Sequence, residues 1–92
     1  MDIATTIKHI LNTEIFVDVP VGDMKETDSL RDVFGLDSLG FVELRVQCED
    51  AFDVTISDDD FSPEHFATIA GVVELVRRLR ASAAADPARV TP

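Results

Sequence analysis

The chain has 92 residues, 46% of them apolar, with 18 acidic side chains against eight basic ones and a formal net charge of −10. A chain of this length makes one domain and buries only about 60–65% of its unfolded surface, so few residues can be spared from the core. The acid excess excludes nucleic-acid binding, because phosphates need Lys and Arg, and favours basic protein partners drawn in by electrostatic steering.

The start, Met1-Asp2-Ile3, has no basic n-region and leads into no long apolar segment. The most apolar window, Ile69 to Val76, is interrupted by Glu74 and is too short to span a membrane. We expect a soluble, cytoplasmic monomer that meets no membrane. A first helix is expected from about Asp2 to Glu14, with Ile3, Ile7, Ile10 and Leu11 forming one apolar stripe. Asp2 suits the first turn by its charge. His9 has no cysteine or second histidine near it in sequence, so we read it as solvated rather than as a metal ligand.

From Ile15 to Leu36 the helical period is lost. Phe16, Val17, Val19 and Val21 alternate with polar or turn residues, and Pro20 and Gly22 break the run. A strand here would have no partner strand, and an isolated strand is not stable. The segment therefore reads as a long structured loop that tucks Phe16, Val19 and Leu30 onto the core. Loops of more than about 15 residues in small domains are often functional. Within it, Asp28 to Phe34 is expected to make a helical turn.

A second helix is expected from Ser38 or Leu39 to about Phe52. Leu39, Val42, Val46 and Ala51 with Phe52 fit an inward face, which Leu44 and Cys48 extend. Phe41 lies at one edge of the stripe, and Glu43, Glu49 and Asp50 lie off it. Cys48, the single cysteine, allows no internal disulfide and no cysteine cluster, and reads as a small buried hydrophobe. Asp53 ends the helix.

The run Ser57-Asp58-Asp59-Asp60-Phe61 lacks the alternate ligands, glycine and distant glutamate of a calcium loop, so it reads as a solvated acidic loop. Ser62 and Pro63 then open one short helix, as N-cap and first helical residue. Phe61 and Phe66 are its expected anchors and His65 is expected to be exposed. Thr68 caps a last helix, about Ile69 to Ala83, with Ile69, Val72, Val73, Val76 and Leu79 inward and Leu75 beside them. Arg77, Arg78 and Arg80 fall in its expected last turns, where cations suit the helix dipole. The remainder, 84–92, is small and polar and is expected to be disordered. The fold class is all-α: a small bundle of three major helices plus one short helix, with a long first loop.

The stretch most informative about function is Gly35-Leu36-Asp37-Ser38-Leu39-Gly40. A glycine turn delivers Ser38 to a helix start, where its hydroxyl fits the N-cap role. The same place leaves free N–H donors and the positive end of the helix dipole facing water, so the hydroxyl could carry an anionic group such as a phosphate. Capping alone and capping with a carried group both remain open on the residues. Nucleophilic catalysis is disfavoured. Gly35 and Gly40 flank Ser38 at the wrong spacing for a nucleophile elbow, no strand precedes it, and His9 and His65 lie on other helices.

Gly35-Leu36-Asp37-Ser38-Leu39 resembles the Asp-Ser-Leu signature of acyl carrier proteins at the start of their second helix. Leu39 to Ile56, ending Glu49-Asp50-Ala51-Phe52-Asp53-Val54-Thr55-Ile56, is similar to that family's second helix and its exit. Phe61 and Thr68-Ile69-Ala70-Gly71-Val72-Val73 look like its approach to the last helix. The resemblance covers about Ile3 to Leu79 and implies an acyl carrier domain over 1–83. It implies that Ser38, flanked by Asp37 and Leu39, is the attachment serine for 4′-phosphopantetheine, joined through a phosphodiester by a phosphopantetheinyl transferase. It implies a non-enzyme whose arm holds acyl groups as thioesters for acyl-loading, condensing and transfer enzymes. Family partners dock on the acids of the second helix, here Asp37, Glu43, Glu49 and Asp50. Gly40 stands where many relatives carry an acid and Arg45 where an exposed apolar residue is usual. Both departures are expected on the docking face, and they favour a polyketide or other specialised pathway over fatty-acid synthesis. A peptidyl carrier would usually show Gly-Gly and then His or Asp before the serine, so Leu36 and the acidic charge argue against it. A non-covalent helical interaction module, with Ser38 as a cap only, is the alternative from another class.

Overall fold

The computed structural model describes residues 2–85. It is an all-α bundle of three helices: α1, Ile3–Thr13; α2, Ser38–Phe52; and α3, Ile69–Ala85. α1 packs against both of the others. Among the described residues there is no strand, and no helix is long and apolar enough to cross a membrane.

α1 begins where Asp2 accepts the Thr5 N–H at 2.7 Å. Hydrogen bonding from the Thr5 side chain and then its N–H holds the Asp2 carboxyl below its ordinary range, with Lys8 adding a smaller effect. Ile7, Ile10 and Leu11 are buried along the expected stripe and Ile3 packs at its edge. The helix exit departs from expectation. The Val17 N–H reaches the Leu11 carbonyl at 2.9 Å, and the Asn12 amide donates to the carbonyls of Val17 and Val19. This wrap turns Val17 into the core and drives Phe16 out, 79% exposed, at a φ of 63°. Phe16 therefore does not join the core, whereas Val19 and Leu30 do.

The long loop carries a 3₁₀ turn, Val21–Asp23, and then buries Met24. It is fastened to the start of α3 by backbone bonds from Ala70 N–H to Glu26 O and from Leu30 N–H to Ala67 O, both 2.9 Å. The expected helical turn is present: Val33 N–H bonds to Ser29 O and Gly35 N–H to Arg31 O.

α2 buries the Leu44, Cys48 and Phe52 part of the face expected and exposes the rest. Leu44 and Cys48 are fully buried, with Phe41 and Phe52 packed beside them, while Leu39, Val42 and Val46 are 77%, 47% and 48% exposed and Ala51 is also exposed. The helix carries two apolar stripes, 39/42/46 and 41/44/48/52, each at helical spacing. Periodicity cannot rank them; packing on α1 and α3 does. Burial pushes the Cys48 thiol up to about 12, so it is an inert core group, as expected. Asp53 ends α2 in the left-handed conformation.

The expected short helix after Ser62 is a single turn, closed by Phe66 N–H and His65 N–H on the Ser62 carbonyl. The Ser62 hydroxyl does not cap it, because it lies 3.2 Å from His65 Nδ1. His65 is accordingly half-buried rather than exposed. Phe66 is buried and meets the half-buried Phe61 edge to face at 4.9 Å, as anchors. Thr68 caps α3 through the Gly71 N–H at 3.1 Å, and Ile69, Val72, Val73, Leu75 and Val76 fill its inner face. α3 continues to Ala85, which puts Arg77, Arg78 and Arg80 inside the helix rather than at its dipole end. Arg78 instead reaches Asp60 at 2.9 Å and holds that carboxyl below its usual range. The expected disordered tail lies, from residue 86, outside the described residues.

Gly71 lets the turn before α3 rest directly on the helix. A Cβ there would sit 2.8 Å from the His65 carbonyl oxygen, a backbone atom that cannot swing aside. Gly71→Ala should therefore destabilise by about 1–3 kcal/mol despite alanine's better helix propensity. Urea unfolding followed by circular dichroism measures it, and a more stable variant would contradict the contact.

Candidate functional site

The site is built from a turn that is pinned on its inner side. Gly35 has a φ of 73°, a conformation suited to glycine, and reverses the chain. Leu36 follows, buried, with its N–H on the Leu30 carbonyl at 3.1 Å. The next residue, Asp37, is the N-cap of α2: its Oδ1 accepts the Gly40 N–H at 2.8 Å. Ser38 is thus the first helical residue, not the cap expected of it. Its side chain is exposed, and its hydroxyl has been relieved of the capping bond. The N–H groups of Ser38 and Leu39 belong to the first turn, which has no intrahelical acceptors for them. An anion linked to the Ser38 oxygen would meet these donors and the helix dipole.

Ser38 opens on a groove of about 500 Å³ between α2 and the segment before α3. Its walls are mainly Phe41, Val42, Phe61, Pro63 and Phe66, with Arg31 at the loop side. A slender arm rooted at Ser38 can lie along this apolar trough. The residues present therefore fit a phosphate-linked arm: an exposed hydroxyl, free donors at its base and an apolar groove beside it. The groove residues were not assigned to a site from sequence. In the sequence Phe61 and Phe66 read only as anchors, since nothing in a linear pattern brings them opposite Phe41.

The groove's far wall is clamped. Arg45 donates from Nε and Nη2 to the Ile56 carbonyl at 3.1 and 2.6 Å, pairs with Asp58 at 3.0 Å and lies 4.9 Å over the Phe61 ring. Its side chain is only 24% exposed. Arg45 is therefore not on the free face of α2, as expected from sequence, but ties α2 to the acidic loop. Asp60 is correspondingly engaged with Arg78, while Asp58 pairs with Arg45 and stays almost fully solvated.

The carboxylates proposed for docking separate into two kinds. Glu49 is half-buried and accepts the Ile56 N–H at 2.8 Å, so it holds the exit of α2. Asp37, Glu43 and Asp50 are exposed. Asp37 and Glu43 share a shallow cleft with Leu39 and with Ile15 from the end of α1. Around Ser38 there is thus an acidic, partly apolar surface on one flank and the aromatic groove on the other.

A small helical domain that offers one exposed serine at a helix start, beside a groove, has the design of a carrier: it is loaded covalently and visited by other proteins. The family model described as the phosphopantetheine attachment site matches residues 2–79, and the chain belongs to that family. It is a phosphopantetheine carrier domain, and 4′-phosphopantetheine is its covalent cofactor. It is 36% identical over 78 residues to an acyl carrier protein of Desulforapulum autotrophicum, covering 85% of this chain and 97% of that one. It is 40% identical over 80 residues to a D-alanyl carrier protein of Streptococcus suis, covering 83% and 98%. A D-alanyl carrier protein of Streptococcus mutans is 36% identical over 80 residues, covering 87% and 98%.

The capping geometry separates two neighbouring side chains. Asp37→Ala should cost about 0.5–2 kcal/mol, as loss of an N-cap does, whereas Ser38→Ala should stay within about 0.5 kcal/mol of the wild type. Denaturant melts of the pair measure the difference, and the reverse order would return the cap to Ser38.

Proposed function

We propose that Ser38 is the residue to which 4′-phosphopantetheine is joined, and that the chain presents acyl thioesters on that arm to partner enzymes without catalysing a step itself. The observation that carries this reading is the exposed Ser38 hydroxyl, spared from capping by Asp37 and open to the aromatic groove. In the loading step a separate transferase supplies the base. The Ser38 oxygen attacks the pyrophosphate phosphorus next to the pantetheine half of coenzyme A, the hydroxyl proton passes to that base, and the nucleotide half leaves. Asp37 and Leu39 flank the oxygen. The first-turn N–H groups of α2 then face the new phosphodiester.

Partner docking is assigned to the exposed acids Asp37, Glu43 and Asp50, with Glu49 acting at one remove by fixing the end of α2. Acyl-loading, condensing and transfer enzymes would meet this face in turn in the cytoplasm, the carrier itself being a monomer. For the pathway we favour polyketide or other specialised biosynthesis over fatty-acid synthesis. Gly40 on the outer turn supports that choice; Arg45 no longer does, because its guanidinium is occupied beneath the loop. The D-alanyl carrier relatives favour a second reading, an aminoacyl rather than an acyl cargo.

Intact mass after incubation with coenzyme A and a broad phosphopantetheinyl transferase should show one arm on the wild type and none on Ser38→Ala. A loaded alanine variant, or an unloaded wild type, would refute the assignment. Glu43→Lys should raise the apparent KM of loading, most strongly at low salt, with helicity unchanged. Glu74→Lys, an equal charge reversal on the exposed side of α3, should do much less, and equal effects would reduce the docking face to net charge.

A further inference from the structure

Two described residues other than glycine have a positive φ. One, Asp53, closes α2, a position that short polar residues tolerate. The other is Phe16, at 63°. The backbone bonds that impose this conformation are Ile15 N–H to Ile10 O and Val17 N–H to Leu11 O. A glycine would satisfy both without strain. The phenyl returns nothing to the core, since it is 79% exposed. A strained backbone that displays a large aromatic side chain in water is an outlier of the kind found at functional positions.

The surroundings say what such a ring would meet. Ile15, next in the chain, lines the shallow cleft shared with Leu39, Val42 and the carboxylates Glu14, Asp37 and Glu43. No cation lines that cleft. Phe16 thus adjoins, through Ile15, an exposed apolar patch with an acidic border, which shares Val42 with the aromatic groove. An enzyme that reaches Ser38 must cover its neighbours Asp37 and Leu39. A second copy of this chain is a poor occupant, because each carries a net charge of −10. An enzyme that binds coenzyme A beside Ser38 is a good one, because the coenzyme's phosphates require cations around its site.

We propose that Phe16 is an aromatic anchor for the phosphopantetheinyl transferase, which places an apolar pocket over Phe16 and the Leu39–Val42 patch and a cationic rim over Glu14, Asp37 and Glu43. This rests on the assignment of Ser38 as the loaded serine. Buried aromatics at the centre of an interface carry a large share of its affinity, while the acids at its edge act on encounter and salt dependence.

The test is steady-state loading of the apo chain by a broad phosphopantetheinyl transferase with coenzyme A. Phe16→Gly and Phe16→Tyr are compared with the wild type at low and high salt. Phe16→Gly should raise the apparent KM for the carrier about fivefold or more with kcat near the wild-type value. Its melting temperature should rise by about 4 °C or more, because glycine relieves the backbone. The KM ratio between variant and wild type should persist at high salt, unlike the effect of a lost charge. Phe16→Tyr should keep the wild-type KM. A KM for Phe16→Gly within about twofold of the wild type overturns the anchor, and so does a fall in melting temperature, which would make the ring a packing group. Failure of the underlying assignment looks different: the wild type gains no arm, or Ser38→Ala gains one, and the anchor then falls with it.

Discussion

The carboxylate of Asp37 on the Gly40 N–H, 2.8 Å long, fixes where α2 starts, and the functional surface follows from that point. With the cap taken by Asp37, Ser38 becomes the first helical residue and its hydroxyl is left to solvent. The start also fixes the rotation of the helix. Leu44 and Cys48 turn inward, Phe41 turns toward the groove, and Leu39 and Val42 are set on the outer face beside the serine. The turn that presents Asp37 is in turn held by Leu36, whose side chain is buried and whose N–H is bonded to Leu30. The Ser38 oxygen is exposed while the turn before it is fixed. That suits a group which other proteins must find in one place.

Charge is distributed between two tasks. On the side of the acidic loop, carboxylates are used structurally: Glu49 holds the Ile56 N–H, Asp58 meets Arg45 and Asp60 meets Arg78. The exposed ion pairs contribute little energy individually, since Asp58 is almost fully solvated. Arg45 gains more from its two bonds to a backbone carbonyl and from its position over Phe61. Together these contacts set the far wall of the groove. On the opposite flank Asp37, Glu43 and Asp50 are exposed and make a negatively charged surface. The same residue type thus braces one side of the domain and is left exposed on the other.

Much was legible in the linear chain for physical reasons that are local. The apolar stripes of α1 and α3 have one solution each, so Ile7, Ile10, Leu11, Ile69, Val72, Val73 and Val76 are where periodicity puts them. The cap made by Thr68, the helical turn before Gly35 and the end of α2 at Asp53 depend on neighbours within a few residues. The Asp-Ser-Leu signature lies within one turn of chain, and with it the family and its cofactor were already apparent.

The rest required contacts between distant segments. α2 has apolar residues on two faces, and only its packing against α1 and α3 buries Leu44 and Cys48 in place of Leu39, Val42 and Val46. Asp and Ser are both good N-caps, so adjacent candidates could not be ordered until the turn anchored by Leu36 set the chain's direction. The fates of Phe16 and Val17 were exchanged by backbone bonds to α1. Arg45 was drawn away from the outer face by a carbonyl eleven residues on. Sequence alone therefore determined the family and its cofactor. Tertiary structure decided which side chains α2 exposes, because burial is settled by the partners a helix meets and not by its own period.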